Sequence, residues 1–208
     1  MTKQQDKRFK ASILAAVIVL LSGAAWAHVT LRPTQPFPAG GAADITMRVP
    51  TERTVATVSV SLEVPDAFLK AGGRLSRLDF PAGWQVKITR EDKPRDIYAS
   101  EMDQRAKRNA DAAHAAPAPK TPAEKKEQER EEEMRRTWIK KVTFEGGSIP
   151  PDGFKAFALE LQLPNEPGIY RFPAIQTYAD GVQVSWSDLV EGAPHPAPTL
   201  VVGARASK

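Results

Sequence analysis

Alternation of apolar and polar residues with a period of two runs through most of this chain, and it constrains the fold more than any other feature. In segment 58–64, valine or leucine at every even position alternates with serine or glutamate, which is typical of a half-buried strand. The Asp180-Gly181 pair between two such runs is a strong signal for a β-hairpin. Similar runs, separated by proline and glycine, occupy 43–49, 84–89, 138–144, 157–163, 170–178, 182–186 and 199–202. Seven or eight short strands predict an all-β fold, an immunoglobulin-like antiparallel β-sandwich.

A charged segment, residues 91–137, interrupts this pattern. Alanine, lysine, arginine and glutamate dominate it, and 124–136 is a dense run of mixed charge. Pro117, Pro119 and Pro122 divide the segment into two helix-prone arms. We interpret it as an insertion between two strands, either an exposed helical hairpin or a partly disordered excursion. Such a segment can dock a partner protein or stay solvated, and its composition favours the second.

The first 27 residues have the pattern of a secretory signal peptide. Four basic residues precede the apolar run 11–21, and Ala25-Trp26-Ala27 gives the small-x-small pattern of a cleavage site. We therefore predict export to the periplasm or beyond, with a mature sandwich over residues 28–202. The mature chain would carry 25 basic and 24 acidic residues, which gives no support for binding nucleic acid. No second apolar run of spanning length follows, so no membrane span is expected after cleavage.

The absence of cysteine limits the chemistry that the chain can perform. It excludes disulfides, thiolate metal sites and a cysteine nucleophile. Met47, Met102 and Met134 form no Met-x-Met cluster, so a Cu(I) thioether site is not predicted, and Met47 is expected in the core. No serine–histidine or paired-carboxylate arrangement stands out, and we expect the protein not to be an enzyme.

His28 is the most informative residue, because cleavage after Ala27 would make it the mature N-terminus. Its free α-amine and its imidazole can then chelate one metal ion. The α-amine has a pKa near 8, so its deprotonation on binding costs little at neutral pH. Amine and imidazole nitrogens suit Cu(II), which stands at the top of the divalent affinity order. The alternative is that a histidine follows the cleavage site by accident.

Several motifs resemble the YcnI-like family (DUF1775) of exported copper-binding domains, over most of residues 28–200 apart from the insertion. The two specific blocks are the His-Val-Thr-Leu-Arg-Pro start at His28 and the block around Gln176-Thr177-Tyr178 that leads to Trp186. The others are Pro38-Ala39-Gly40, Arg48-Val49-Pro50-Thr51-Glu52-Arg53, Pro81-Ala82-Gly83-Trp84 and Gly146-Gly147-Ser148-Ile149-Pro150-Pro151.

This resemblance implies a sandwich that binds one Cu(II) per chain through a single-histidine brace. His28 would supply the amine and the imidazole, a carboxylate would complete the site, and Trp186 would lie nearby unless it is an ordinary core tryptophan. Relatives carry a glutamate after the Pro-Pro turn, where this chain has Gly153-Phe154-Lys155-Ala156-Phe157. The candidate carboxylates are therefore Glu160, which is slightly favoured, Glu52 and Asp152.

The chain contains two further histidines. His195, in a proline-rich tail, reaches the metal only if the tail folds over the site, and His114 lies in the insertion.

Of three candidate functions, the leading one is sequestration of copper or its delivery to a copper-handling partner protein. A metal-free protein-binding module is the alternative. A copper-dependent oxidase or monooxygenase is less favoured, because it needs a second imidazole.

Overall fold

The computed structural model describes residues 28–110, 121–190 and 192–205, so the predicted signal peptide and His114 lie outside the described residues. The described residues form twelve strands, which are β1 (Thr30–Arg32), β2 (Phe37–Pro38), β3 (Ala42–Pro50), β4 (Thr57–Glu63), β5 (Arg74–Leu78), β6 (Gln85–Asp92), β7 (Thr137–Ile149), β8 (Phe154–Gln162), β9 (Gly168–Arg171), β10 (Ala174–Tyr178), β11 (Gln183–Trp186) and β12 (Thr199–Gly203). Three helices accompany them, α1 (Asp66–Lys70), α2 (Arg95–Ala110) and α3 (Pro122–Arg136).

The strands build two main sheets and a small third one. The sheets have the strand orders β1-β3-β8-β5, β11-β10-β4-β7-β6 and β2-β12-β9. All neighbours are antiparallel except β2 and β12. The alternating apolar residues of both main sheets form one buried core, which includes Met47, Val60, Phe144, Phe157 and Trp186. The predicted immunoglobulin-like β-sandwich is confirmed, with an architecture that is mostly β.

The strand orders define two opposite lateral edges. Strands β1 and β11 are edge strands on one side of their sheets, and β5 and β6 are edge strands on the other. We call these the β1/β11 edge and the β5/β6 edge. His28 lies at the first and the charged insertion at the second.

Two local predictions are wrong in detail. Segment 170–178, predicted as one strand, is split between β9 and β10. Pro173 has no N–H to donate, and the chain changes sheet there. Gly146-Gly147, which follows the predicted strand 138–144, lies inside a longer β7, where the pairing with β4 shifts register. A Cβ at Gly147 would come within 2.1 Å of the Trp84 ring, so this approach requires glycine.

Helices α2 and α3 lie between β6 and β7, whose ends pair as Asp92 with Thr137. The backbone N–H of Lys93 also donates to the carbonyl of Arg136 over 2.9 Å. Helix α3 starts with a capping box between Thr121 and Glu124, with Pro122 in its first turn, and has no buried residue. No described helix is long and apolar enough to cross a membrane.

Candidate metal centre

His28 lies at one end of the sandwich, just before β1. The first pair of β1 and β3 joins Thr30 to Arg48. Continuing this antiparallel register brings His28 level with Pro50, the last residue of β3. His28 therefore lies beside the loop that connects β3 to β4, and Glu52 is in that loop.

Trp186 lies between two histidines. The imidazole of His28 meets the indole with ring centroids 5.5 Å apart, and that of His195 meets it at 5.3 Å. Both contacts are edge-to-face, a favourable geometry for aromatic pairs. Trp186 is completely buried, and both histidines are partly exposed. The predicted contact of the indole with the His28 region is present, and the indole is also a core residue.

The carboxyl of Glu52 interacts electrostatically with His28 and His195. Desolvation raises the pKa of its carboxyl above the ordinary value, and the electrostatic influence of His28 and His195 lowers it by less. The carboxyl thus lies within electrostatic reach of both imidazoles while its residue stays exposed to solvent. Glu52 offers an oxygen donor on the same side of the molecule as the ring nitrogens of His28.

A chain of buried hydrogen bonds holds Trp186 and the start of the Glu52 loop. The indole Nε1 of Trp186 donates to Gln176 Oε1 over 3.1 Å. The amide nitrogen of Gln176 donates to the Pro50 carbonyl and to Thr57 Oγ1, each over 2.7 Å. Gln176 is fully buried, and its amide oxygen and nitrogen each have a partner, as a buried amide requires.

The directions of the remaining bonds follow from the number of hydroxyl protons. Thr51 Oγ1 donates its one proton to the Ile149 carbonyl over 3.0 Å. The 2.9 Å contact between Thr51 Oγ1 and Thr57 Oγ1 must then use the proton of Thr57. The bonds therefore run in one direction from Trp186 through Gln176 and Thr57 to Thr51. We call these four residues the Gln176 network.

A second set of contacts fixes the rest of the Glu52 loop. The backbone of Glu52 is hydrogen-bonded to Tyr178, whose phenol has a raised pKa, mainly because it is buried. The Arg53 guanidinium lies over the Tyr178 ring at 4.9 Å and pairs with Asp180 at 2.9 Å. Both flanks of Glu52 are thus held by β10 and the turn that follows it.

His195 is placed by Asp188, which follows β11. The backbone N–H of His195 donates to Asp188 Oδ2 over 3.0 Å, and the N–H of Asp188 donates to the His195 carbonyl over 3.0 Å. A bridge between Asp188 and Pro196 and a bond from the Ala197 N–H to Asp188 extend this contact. The proline-rich tail therefore does fold over the site.

The other two predicted carboxylates lie elsewhere. Glu160 on β8 faces Asp44 and Arg77 across the sheet and pairs with the Arg77 guanidinium at 2.9 Å. Asp44 is six residues along β3 from Pro50, so Glu160 lies roughly 20 Å from the level of His28. The slight preference for Glu160 is therefore not supported by its position in the sheet. The alternation of its strand places it on a polar face, but gives no information about its distance from His28 along the strand.

Asp152 lies at the same end as Glu52 without sharing its contacts. It occupies the Pro150–Gly153 turn with a left-handed φ of 61°. Thr51 donates its N–H to the Gly153 carbonyl over 2.9 Å, which ties this turn to the Glu52 loop. Of the three candidate carboxylates, Glu52 is the one that the described part of the chain brings into electrostatic contact with His28.

The donor set has the chemistry that a single-histidine brace requires. Among the described residues, no three His, Asp or Glu side chains are grouped closely enough to hold a metal ion. A single-histidine brace would need only two such side chains, for which His28 and Glu52 are the candidates, because its third donor would be an α-amine. That amine is part of a peptide bond with Ala27 in the full chain, so the donor set is complete only after cleavage.

Part of the chain matches a known protein family. Residues 104–202 match the family model described as a domain of unknown function, DUF1775. This match is consistent with the predicted family. The match covers Gln176, Trp186 and His195, and the DUF1775 segment begins in the charged insertion.

The chain resembles solved structures of other proteins. An uncharacterized protein from Nocardia farcinica, described as having an immunoglobulin-like fold, is 23% identical with a TM-score of 0.53, covering 85% of this chain and 99% of that one. A putative membrane anchored protein from Corynebacterium diphtheriae is 10% identical with a TM-score of 0.35, covering 86% of this chain and 36% of that one. No curated protein matches. The first likeness supports the fold alone.

Three residues that build the site were not predicted in these roles. The sequence indicates Gln176 only as part of a family block, places His195 at the metal only if the tail folds over the site, and gives no indication of Asp188. The available signal was a polar glutamine at an inward position of an alternating strand, next to a tryptophan that also points inward. A buried glutamine needs partners, and the tryptophan N–H is one of them.

Proposed function

We propose that the mature protein, starting at His28, binds one Cu(II) ion in the periplasm or outside the cell and sequesters it or delivers it to a copper-handling partner protein. The α-amine and imidazole of His28 and the carboxylate of Glu52 are the proposed donors. The observation that carries the proposal is the meeting of His28, Glu52 and Trp186 at one end of the sandwich. Two nitrogens and one oxygen are a donor set that suits Cu(II).

The surroundings of the donors suit binding and release. The Gln176 network fixes the Trp186 indole, and the indole gives the His28 ring a rigid surface to pack against. The contacts of Tyr178 and Arg53 hold the Glu52 loop. Rigid supporting groups reduce the ordering cost of metal binding. Glu52 is nevertheless exposed, so a partner protein can approach the metal.

His195 is the observation that favours an oxidase or monooxygenase as the second candidate. It brings another imidazole to Trp186 at 5.3 Å. However, the indole lies between the two histidines, and His28, His195 and Glu52 do not form a three-residue metal group within the described residues. Binding without catalysis is therefore the preferred proposal, and we assign His195 the role of packing against the indole. A metal-free protein-binding module does not explain why Glu52 and both histidines meet.

The role of Glu52 can be tested by a matched pair of substitutions. In protein starting at His28, Glu52→Gln should weaken Cu(II) binding in a competition titration roughly tenfold or more, because it removes an anionic ligand. Glu160→Gln removes the same charge at a distance and breaks only an exposed ion pair. It should leave the affinity within about twofold. Equal affinities for the two variants would contradict the assignment of Glu52.

A further inference from the structure

A basic cleft lies at the β5/β6 edge, on the opposite side of the sandwich from His28. It consists of two adjoining cavities of about 440 and 430 Å³, which share Arg74, Lys93, Glu101 and Met134. The first lies between α2, α3 and the start of β5. The second runs from α1 along β5 to Trp138 on β7. Each cavity is within the size range of sites for small ligands.

Positive charge dominates the walls of this cleft. The acidic residues Glu101, Glu131 and Glu160 each pair with a basic residue of the cleft, namely Lys93 at 2.6 Å, Arg135 at 3.1 Å and Arg77 at 2.9 Å. Four arginines remain that have no carboxylate within ion-pair distance in the described part of the chain: Arg74, Arg90, Arg105 and Arg108. The mature sequence is almost neutral, so this is a local concentration of guanidinium groups.

Trp138 provides an independent indication that a partner is missing. It is 8% exposed and lies between the 430 Å³ cavity, which it lines together with Arg74 and Arg90, and a third cavity of about 610 Å³ on the side of Glu91 and Asp92. Its indole Nε1 is buried and has no hydrogen-bond acceptor. Buried N–H groups without an acceptor destabilise a fold and are rare. An acceptor oxygen brought by a ligand would satisfy this donor.

The buried ammonium of Lys93 links the two cavities. Its side chain is 7% exposed and pairs with Glu101 on α2, and both residues line both cavities. A ligand that extends from one cavity into the other would therefore pass a fixed positive charge. Guanidinium groups bind carboxylate and phosphate oxygens through two parallel hydrogen bonds.

We propose that this cleft binds a small ligand with two or more anionic oxygen groups, either phosphates or carboxylates, held by Arg74 and Arg105 with the indole N–H of Trp138 as a further donor. This site is separate from the proposed copper site and does not depend on it. It also gives the charged insertion a role, because Arg105 and the other helical residues of the cleft belong to α2 and α3.

Calorimetric titration with two probes tests the proposal. Metal-free protein starting at His28 is titrated with pyrophosphate and with citrate at about 0.15 M ionic strength, where the Debye length is about 8 Å. Copper is left out because both probes chelate it. Binding of pyrophosphate alone indicates a phosphate ligand, and binding of citrate alone indicates a carboxylate ligand. Absence of heat from both at millimolar probe would overturn the proposal.

Matched variants separate a built site from general attraction by charge. The double variant Arg74→Gln/Arg105→Gln should weaken binding roughly tenfold or more. Lys87→Gln/Arg130→Gln also removes two positive charges, from β6 and α3 outside the cleft, and should change it less than about twofold. Equal weakening would overturn the proposal.

The role of Trp138 has its own readout. The Trp138→Phe variant removes the indole N–H and keeps a ring, and circular dichroism shows whether the fold is intact. Probe binding should change the tryptophan fluorescence of the parent protein, and this change should be absent in the variant. If the folded variant binds the probe as tightly as the parent, Trp138 is not a donor of the site.

Discussion

The two lateral edges of the sandwich are held together by opposite kinds of polar interaction. At the β1/β11 edge, the Gln176 network consists of neutral, buried hydrogen bonds. At the β5/β6 edge, α2 and α3 meet through a hydrogen bond from the Tyr98 hydroxyl to Glu132, which Arg135 also pairs with. Helix α3 buries no residue, so apart from the buried ammonium of Lys93 the second edge depends on exposed charges.

This difference has energetic consequences. Neutral buried hydrogen bonds do not respond to salt or to moderate changes of pH, but leaving one of their members without a partner is costly. Exposed ion pairs contribute little and are screened. The β1/β11 edge can therefore hold donor groups in one geometry, while the β5/β6 edge can change in sequence or structure without loss of the core.

The largest effect is expected from Gln176→Leu. This change leaves the Trp186 indole N–H without its acceptor and the Pro50 carbonyl without its donor. The free energy of unfolding, measured by urea denaturation, should fall by about 3 kcal/mol. Gln183→Leu on neighbouring β11 changes an exposed glutamine and should stay within about 0.5 kcal/mol of the parent protein. Similar losses in the two variants would mean that the network has no special role.

A smaller effect is expected when the insertion is removed. Lys93 and Arg136 are hydrogen-bonded neighbours at the ends of β6 and β7, so Asn-Gly can replace residues 94–135 as a hairpin turn. The free energy of unfolding should change by about 1 kcal/mol or less, because the helices contribute little to the core. Copper affinity should be unchanged. Failure of the shortened chain to fold would show that the two edges depend on each other.

Acid should produce the smallest and most local effect. Hydrogen bonds from Tyr98 and Arg135 lower the pKa of Glu132 below its ordinary value of 4.5. These hydrogen bonds to the Glu132 carboxylate therefore stabilise the pairing of α2 with α3 above pH 4.5. The stabilisation is lost as the pH falls through the lowered pKa of Glu132. Helical circular dichroism should decline below pH 4.5 while Trp186 fluorescence stays constant. Glu132→Gln, which has no carboxyl to titrate there, should show a weaker decline.

Alternation was sufficient to predict the sandwich because strands with one buried face must show it. Segment 43–49 falls inside β3, and segment 58–64 falls inside β4 except for its last residue. Short strands without this pattern, such as β2 and β5, were not predicted. The position of Trp186 at the site followed from family motifs rather than from periodicity, which says only that its side chain points inward.

The carboxylate of the site could not be chosen from the sequence. The three candidate carboxylates, Glu52, Asp152 and Glu160, all lie on exposed strands or turns. Their order along the chain does not reveal which of them lies at the same end of the sheet as His28. The register of β3 against β1 and β8 supports the proposal of Glu52, since it places the Glu52 loop beside His28 and Glu160 beside Arg77. His195 depended in the same way on a tertiary contact, the docking of its backbone on Asp188.

Cu(II) EPR of two forms of the protein tests whether His28 binds copper through its own α-amine. One form begins at His28, confirmed by mass, and the other carries one additional alanine before it. We expect the first form to bind one equivalent of Cu(II) with a nitrogen-rich tetragonal signal, and the second form to lose or change that signal. Identical signals in both forms, or no binding by either, would contradict this expectation.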